Sequence, residues 1–283
     1  MFGFLNVYKP KDMTSHDVVA CLRRVTKIKQ IGHTGTLDPF AEGVLPICIG
    51  KATRLIEYLN DDKAYVGTVQ FGAATTTYDI EGEKVKFSEK KISNEEIEFA
   101  LNDFRGEIEQ LPPIYSAIKI NGKKLYEYAR EGKEVEIKPR KVNISKLELM
   151  NFNSGLQQAE LYIECSKGTY IRSIANDLGE VLGAYGHLIK LVRVKAGDFE
   201  INDSTALDEF NSVEQVENNI IYPLKKLHFP IYELNEKEKI IISNGGSLNT
   251  TINSPFACLT YKGTLCAVAS SQNTGLKCEK VFL

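Results

Sequence analysis

The chain has 283 residues, enough for one large domain or a large and a small one. With 43% hydrophobic and 25% charged residues, it can bury a sizeable core, which excludes wholesale disorder. The net charge of -2 excludes a uniform polycation.

In chain order, GFLNVYKP reads as a short apolar strand ending at Lys9-Pro10. TSHDVVACLRRVTKI reads as a helix, with Thr14 or Ser15 as cap and Val18, Val19, Leu22 and Val25 as its apolar stripe. GHTGTLDPFAEG has no period and reads as a loop. VLPICIG then reads as a buried strand, ATRLIEYL as a short helix and KAYVGTVQFG as an alternating strand. ATTTYDIEGE is polar and turn-rich. SNEEIEFALNDFRG carries a capping box, Ser93 with Glu96, and a stripe of Ile97, Leu101 and Phe104, and it ends at Gly106.

LPPIYSAIKINGKKLYEYAREGKEVEIKPR is basic, with Tyr115, Tyr126 and Tyr128 and turns at Asn121-Gly122 and Glu131-Gly132. Strands follow at VNISKLELMNF and QQAELYIECSKG. GTYIRSIANDLGEVLG reads as a helix with Ile171, Ile174, Leu178 and Val181 on one face and Arg172 off it. From about residue 229 a short helix, NEKEKIIISNGG, precedes two or three short strands, PFACLTY, LCAVASS and CEKVFL. Separate helices and antiparallel-looking strands without regular βαβ alternation indicate an α+β body with a small β-rich appendage.

Charge is segregated. Residues 1–60 carry eight Lys or Arg against five acids, and residues 111–146 carry nine against four. Residues 203–217 hold five acids and no base. This pattern fits a polyanion-binding face backed by an acidic one, or simply solvated surface. None of the six cysteines has C-x-x-C spacing, which points to buried reduced thiols in a cytosolic protein. The four histidines show no metal-ligand spacing. Lysines interrupt MFGFLNVYKPKDM where a signal peptide needs an apolar core, and no apolar run approaches the roughly 20 residues needed to span a bilayer. The glycines near residue 32 lack the G-K-[ST] ending of a P-loop.

The residues alone leave two readings of Asp38. Asp before Pro is common in turns. Yet Gly32, Gly35 and Gly43 permit unusual backbone and close approach by a ligand, and a carboxylate among His33, Thr34 and Thr36 can be a nucleophile. Arg172 stands at a helix start, where the dipole prefers anions, so it is either a surface residue or a partner for a carboxylate or phosphate. Tyr65 is a core aromatic or a stacking platform for a base. Asp79 reads as a turn acid.

Six blocks in order resemble the TruB-type tRNA pseudouridine synthases. They are NVYKPKDMTSHDVV, GHTGTLDPFAEGVLPICIGKATR, KAYVGTVQFG with TTTYDIEGE, LPPIYSAIKINGKKLYEYAREG, SKGTYIRSIANDLGE and HLIKLVRVKAGDF. They span about residues 3–199. The resemblance implies a pseudouridine synthase fold, with a mixed, mainly antiparallel sheet flanked by helices and loops. It implies a catalytic domain over 1–228, a basic, mobile thumb-like insertion over 111–146 and a PUA-like appendage over 229–283.

By the same resemblance, Asp38 is the catalytic aspartate, Arg172 pairs with it, and Tyr65 stacks on the uracil. His33 contacts the T arm of tRNA, Asp79 is an acid on the site's rim, Leu191 lines the pocket, and Lys9 is a structural or pocket-wall lysine. Val192 stands where the family usually has a second basic residue, which leaves Arg193 to make that RNA contact. Lys123, Lys124 and Arg140 of the insertion are expected to bind RNA. The implied reaction turns uridine-55 of the T loop into pseudouridine by base flipping. It needs no metal or organic cofactor and no membrane, and it implies a cytoplasmic, monomeric enzyme without an obligate protein partner. An RNA-binding protein without catalysis would use the same basic faces. A carboxylate hydrolase built on Asp38 and Asp79 would need a defined spacing between them that the sequence does not show.

Overall fold

The computed structural model of the protein describes residues 1–133 and 135–283. Glu134, one of the four acids of the basic insertion, lies outside the described residues. The first strand, β1 (Gly3–Lys9), leads into helix α1 (Ser15–Thr26). Thr14 caps that helix in a reciprocal box with Asp17, and Lys27 ends it in the left-handed region at φ 59°. Val18, Val19 and Leu22 are buried, so the apolar stripe faces the core as its spacing implies.

Two strands follow, β2 (Ile31–His33) and β3 (Glu42–Ile49). GHTGTLDPFAEG is therefore a loop only in its middle, because both ends are drawn into strands. On one side β3 pairs with β1 throughout. On the other it pairs in parallel with β12 (Gly186–Ala196) at Glu42 and Gly43, then with β2 from Ile47 to Ile49. Pro46 sits where the partner changes, and its carbonyl accepts from Thr34 N–H. A proline inside a buried strand is tolerated at such a break in pairing.

Residues 50–58 form a 3-10 helix rather than an α-helix. Its buried residues, Ala52 and Leu55, are three apart, the spacing at which 3-10 side chains eclipse. After β4 (Lys63–Phe71), the polar stretch folds as a hairpin of β5 (Ala73–Thr75) and β6 (Lys84–Phe87), which its turn residues did not reveal. Helix α2 (Asn94–Ala100) begins at its Ser93–Glu96 box and tightens into a 3-10 turn at Leu101–Phe104. Gly106, at φ +82°, then opens β7 (Gly106–Gln110).

The basic insertion is a two-stranded hairpin, β8 (Lys119–Ile120) and β9 (Lys123–Lys124), followed by helix α3 (Leu125–Arg130). Asn121 and Gly122 both have positive φ, as a tight two-residue hairpin turn requires. The insertion is shorter than 111–146. Residues from Arg140 onward already belong to β10 (Arg140–Asn153), which pairs with β7 and with β11 (Gln158–Cys165). Arg140 therefore stands on the sheet, exposed at its start.

Helix α4 (Ile171–Val181) buries Ile171, Ile174 and Leu178. Two readings of it change. Val181 is 57% exposed, and Arg172, off the apolar stripe, is only 4% exposed. Short strands β13 (Phe199–Glu200) and β14 (Thr205–Ala206) and helix α5 (Val213–Asn218) complete the body. The main sheet has ten strands, in the order β14-β1-β3-β12-β4-β11-β10-β7, with β2 on β3 and β13 on β12. It is mixed and mainly antiparallel, as expected. Among the described residues, only the β1–β14 and β12–β3 strand pairings in it are parallel. One face of β4 and β11 packs Tyr65, Val69, Leu161 and Ile163 against α2 and α4. Each fully buried Leu or Ile there contributes about 1.5–3 kcal/mol.

The C-terminal part holds β15 (Ile231–Glu233), helix α6 (Glu236–Ser243), β16 (Ser247–Leu248), β17 (Phe256–Tyr261), β18 (Thr264–Gln272) and β19 (Gly275–Val281). Five strands, more than the two or three read from the sequence, form one sheet in the order β15-β17-β18-β19-β16. Cys258, Leu265, Val268 and Phe282 share a hydrophobic cluster with Phe4, Val44 and Leu55 of the body. Lys51 Nζ donates to the carbonyls of Phe282 and Leu283. Residue 229 thus marks a boundary between sheets but not a break in packing. All six cysteines are free thiols, and Cys48, Cys165, Cys258 and Cys266 are buried.

Candidate active site

The loop from Thr34 to Ala41 is held from three directions. From α1, Ser15 Oγ accepts from Leu37 N–H at 2.8 Å and lies 3.1 Å from the Leu37 carbonyl. From β1, Lys9 Nζ donates to the carbonyls of Pro10, Met13 and Pro39 at 2.7, 2.6 and 3.2 Å. Asp12 N–H also donates to Pro39 O. From β12, Arg193 donates Nε to Val44 O at 2.7 Å, Nη2 to Gly35 O at 3.1 Å and Nη1 to Thr36 O at 3.4 Å. A segment without secondary structure needs such donors, because its buried carbonyls have no ladder to join.

Asp38 closes a turn with its backbone and pairs with its side chain. Its carbonyl accepts from Ala41 N–H, closing the turn that Asp-Pro favours. Its side chain takes no part in that turn. The carboxylate instead meets Arg172, Oδ2 to Nε at 2.9 Å and Oδ1 to Nη2 at 3.3 Å. This is the two-point geometry that a guanidinium offers a carboxylate. The Asp38 side chain keeps a third of its surface exposed, while that of Arg172 keeps 5%.

Arg172 is spent on three further partners. Nη1 lies 3.3 Å from Asp79 Oδ2 and donates to Thr77 O at 3.1 Å, and Nη2 donates to Tyr115 O at 2.9 Å. Asp79 is in turn fixed by Thr77 Oγ1 at 2.5 Å and Glu81 N–H at 3.0 Å. At 2% exposed, Asp79 is not an acid of the rim. It is the buried far partner of Arg172. Burial raises the Asp38 carboxyl above the usual carboxylate range, Arg172 opposes the rise, and the Asp79 charge adds to it.

A cavity of about 490 Å³ opens above Asp38, lined among others by Tyr65, Leu191, Tyr115, Tyr126, Tyr170 and Arg172. Tyr65 on β4 stands opposite Arg193 on β12 in the sheet register. Burial raises the Tyr65 phenol, and the Arg193 guanidinium opposes this. Leu191 is buried and lines the cavity.

Arg193 is 0% exposed, and this overturns the expectation that it contacts RNA. Its guanidinium binds loop carbonyls and cannot reach a ligand's surface. The glycines also change role. Gly43, at φ +108°, lies so close to β12 that a Cβ there would sit 2.3 Å from the Arg193 carbonyl. The close approach is protein backbone rather than ligand. Gly32 and Gly35 have ordinary backbone. Lys9, fully buried, is the structural lysine of the two alternatives. Burial draws its ammonium down to about 8, against the pull of Asp38.

His33 ends β2, and its Nδ1 is buried without a hydrogen-bond partner. Burial, Arg193 and His16 all lower its pKa, so the ring is neutral at pH 7. The insertion is rooted at the site. Gln110 bonds the Tyr170 backbone in both directions, and Ser173 Oγ donates to Leu111 O. Lys123 lies over the Tyr128 ring, and Lys124 and Arg130 lie over Tyr126. Lys123 and Lys124 stand on this arm, with Lys124 Nζ 3.4 Å from the hydroxyl of Tyr126 in the cavity wall, and Arg140 stands at its base. Ser15 and the Tyr115 carbonyl were not foreseen as parts of the site. The Thr-Ser pair after Lys9-Pro10 is the one sequence signal that pointed near Ser15. Among the described residues no three His, Cys, Asp or Glu side chains group as metal ligands, and no helix is long and apolar enough to cross a membrane.

Residues 23–171 match the TruB family pseudouridylate synthase N-terminal domain, and residues 172–228 match the tRNA pseudouridylate synthase B C-terminal domain. The five-stranded appendage lies beyond both matches. A protein of Listeria monocytogenes serovar 1/2a, tRNA pseudouridine synthase B, is 43% identical over 282 residues, covering 95% of this chain and 93% of its own. The protein of the same name from Clostridioides difficile is 44% identical over 259 residues, covering 88% and 85%. Among solved structures, a chain of a Cbf5-Nop10-Gar1 complex superposes with a TM-score of 0.73 at 23% identity, covering all of this chain and 85% of that one. A chain of an archaeal box H/ACA Nop10-Cbf5 complex gives 0.72 at 22% identity, covering all of this chain and 86% of that one. At that identity the likeness concerns the fold, a pseudouridine synthase body with a PUA-like appendage.

Proposed function

This chain belongs to the TruB family of pseudouridylate synthases, which are isomerases, and from that premise we propose that it converts uridine-55 in the T loop of tRNA to pseudouridine. The N1–C1′ bond of the target breaks, the uracil turns over in the cavity, and C5 bonds to C1′. C5 loses its hydrogen and N1 gains one, so the base is isomerised without a co-reactant.

One observation carries the reading. Asp38 lies at the base of a 490 Å³ cavity, held at two points by Arg172 with part of its carboxylate open. A uridine in a folded loop reaches that carboxylate only when it is extruded, and extrusion costs less from a loop than from a duplex. Asp38 is the catalytic carboxylate, whether it attacks C1′, adds to the base or takes the C2′ proton. Arg172 keeps it ionised and aimed. Tyr65 stacks on the uracil and takes part in the C5 proton step, and Leu191 closes the wall behind the base. His33, as a neutral ring, holds the flipped nucleotide. Asp79 acts through Arg172.

Lys123, Lys124 and Arg140 clamp the T-arm backbone, where shape rather than base sequence is read. The insertion that carries the two lysines orders on RNA. Residues 1–228 form the catalytic unit and 229–283 a PUA-like unit, acting as a monomer in the cytoplasm. The test is release of tritium from tRNA labelled at C5 of uridine. Stoichiometric release is expected, and absence of release from an intact T-arm substrate overturns the reading.

A further inference from the structure

A second groove opens beside the catalytic cavity. It has a volume of about 250 Å³ and is lined by Thr34, Asn60, Asp61, Lys63, Lys167 and Gly197, among others. Thr34, Lys63 and Lys167 line both spaces. The two lysines therefore stand where the groove meets the catalytic cavity.

Lys63 begins β4, two residues before Tyr65. It is half-buried, and its stem lies along the catalytic loop, where a Cβ on Gly35 would sit 3.4 Å from its Cε. Its ammonium is poorly neutralised for its depth. Nζ donates to the backbone carbonyl of Asp61, and among the described residues it makes no ion pair with a carboxylate. The fixed charge of Arg193 lies nearby and, after burial, is the largest influence lowering the Lys63 pKa. The Asp61 carboxylate is turned to Lys167 instead, at 2.8 Å, with their side chains 48% and 75% exposed. An exposed pair of that kind is worth up to about 1 kcal/mol, so an incoming anion can displace it at a cost of a few-fold in affinity.

We propose that Lys63, with Lys167 behind it, forms a phosphate subsite at the mouth of the cavity, which grips the RNA backbone next to the flipped nucleotide, and that Asp61 occupies the subsite in the free protein. This rests on the reading of the cavity as a uridine site. A half-buried ammonium close to the reacting base fixes the sugar of the target as well as adding affinity, because a phosphate bound there limits where C1′ can lie.

The experiment uses the full chain and T-arm hairpins labelled at C5 of the target uridine. One hairpin is unmodified, and two others carry a single neutral methylphosphonate, 5′ or 3′ of the target. Tritium release from the unmodified hairpin by the wild type establishes the parent reading separately. One methylphosphonate is then expected to raise the wild-type KM about tenfold, as loss of a charge-assisted contact does. Lys63→Met is expected to raise KM similarly on the unmodified hairpin and to lose about one unit of the slope of log K against log salt. The same methylphosphonate should cost Lys63→Met nothing further, and Lys63→Arg should restore the wild-type response. Asp61→Asn tests the subsite without altering either lysine and is expected to lower KM. The proposal is overturned if the losses from Lys63→Met and methylphosphonate multiply, if neither methylphosphonate affects the wild type, or if Asp61→Asn leaves KM unchanged.

Discussion

Asp38 and Asp79 share one cation. Asp38 meets Arg172 at Nε and Nη2, and Asp79 meets it at Nη1. The two acids differ in what else they touch. Asp79 is closed in by Thr77 and the Glu81 N–H, whereas Asp38 faces the cavity. The arrangement gives one carboxylate an anchoring role and leaves the other available for chemistry.

Asp38→Asn is expected to reduce tritium release to background while RNA binding persists, because the asparagine fills the same space and only the carboxylate is lost. Gel-shift titration alongside the release assay checks this. Turnover that survives the change would remove Asp38 from the catalytic role.

Asp79→Asn tests the shared cation through pH. Asp38 is raised by burial and, beyond the opposing Arg172, by the Asp79 charge. Removing that charge lowers the Asp38 value, so the acid limb of kcat should move to lower pH. Turnover at neutral pH should still fall, since Arg172 loses a partner that orients it. A limb that stays put, or moves up, contradicts the coupling.

Arg172→Ala leaves Asp79 as a buried carboxylate with no cation and Asp38 with no partner. Breaking a buried pair in this way costs about 3–5 kcal/mol, which urea melts will register. Arg172→Lys keeps the charge but not the fork that reaches both acids. It is expected to regain stability while recovering little activity.

Arg193→Met separates an anchor from an RNA contact. Gly35, Thr36 and Val44 would lose their donor, and each buried carbonyl left unpaired costs about 1–3 kcal/mol. Turnover should drop with the loop, and the salt slope of RNA binding should not change. A slope smaller by about one would return Arg193 to the RNA interface.

Lys9 predicts a pH effect on stability. Its pKa is about 8 in the fold, against 10.5 for the unfolded chain. Between those values the unfolded chain holds the extra proton, so this group favours the native state increasingly as pH rises. The stability of the wild type relative to Lys9→Met, from urea melts, should grow from pH 8 to 10.5. A shrinking difference would contradict the direction of the shift.

Local patterning determined much by itself. Caps and stripes placed α1 and α2, alternation placed β4, and six ordered blocks identified the family and pointed to Asp38, Arg172, Tyr65 and Leu191. These signals survive in one dimension because helix and strand periods are short-range properties of the chain. Arg172, Asp79 and Arg193 were legible as types but not as environments. Arg172 was off the apolar stripe of its helix and still buried, because its cover comes from the Thr77 turn and the root of the insertion. Asp79 was a polar turn acid that the fold turned inward, and Arg193 was a basic residue facing backbone instead of RNA. Whether a charge is spent inside a protein or offered to a ligand depends on which distant carbonyls and carboxylates meet it. Here that was decided by β12 pairing with both β3 and β4, and by α4 carrying Arg172 between the Asp38 loop and the Asp79 turn, contacts that only the tertiary structure makes.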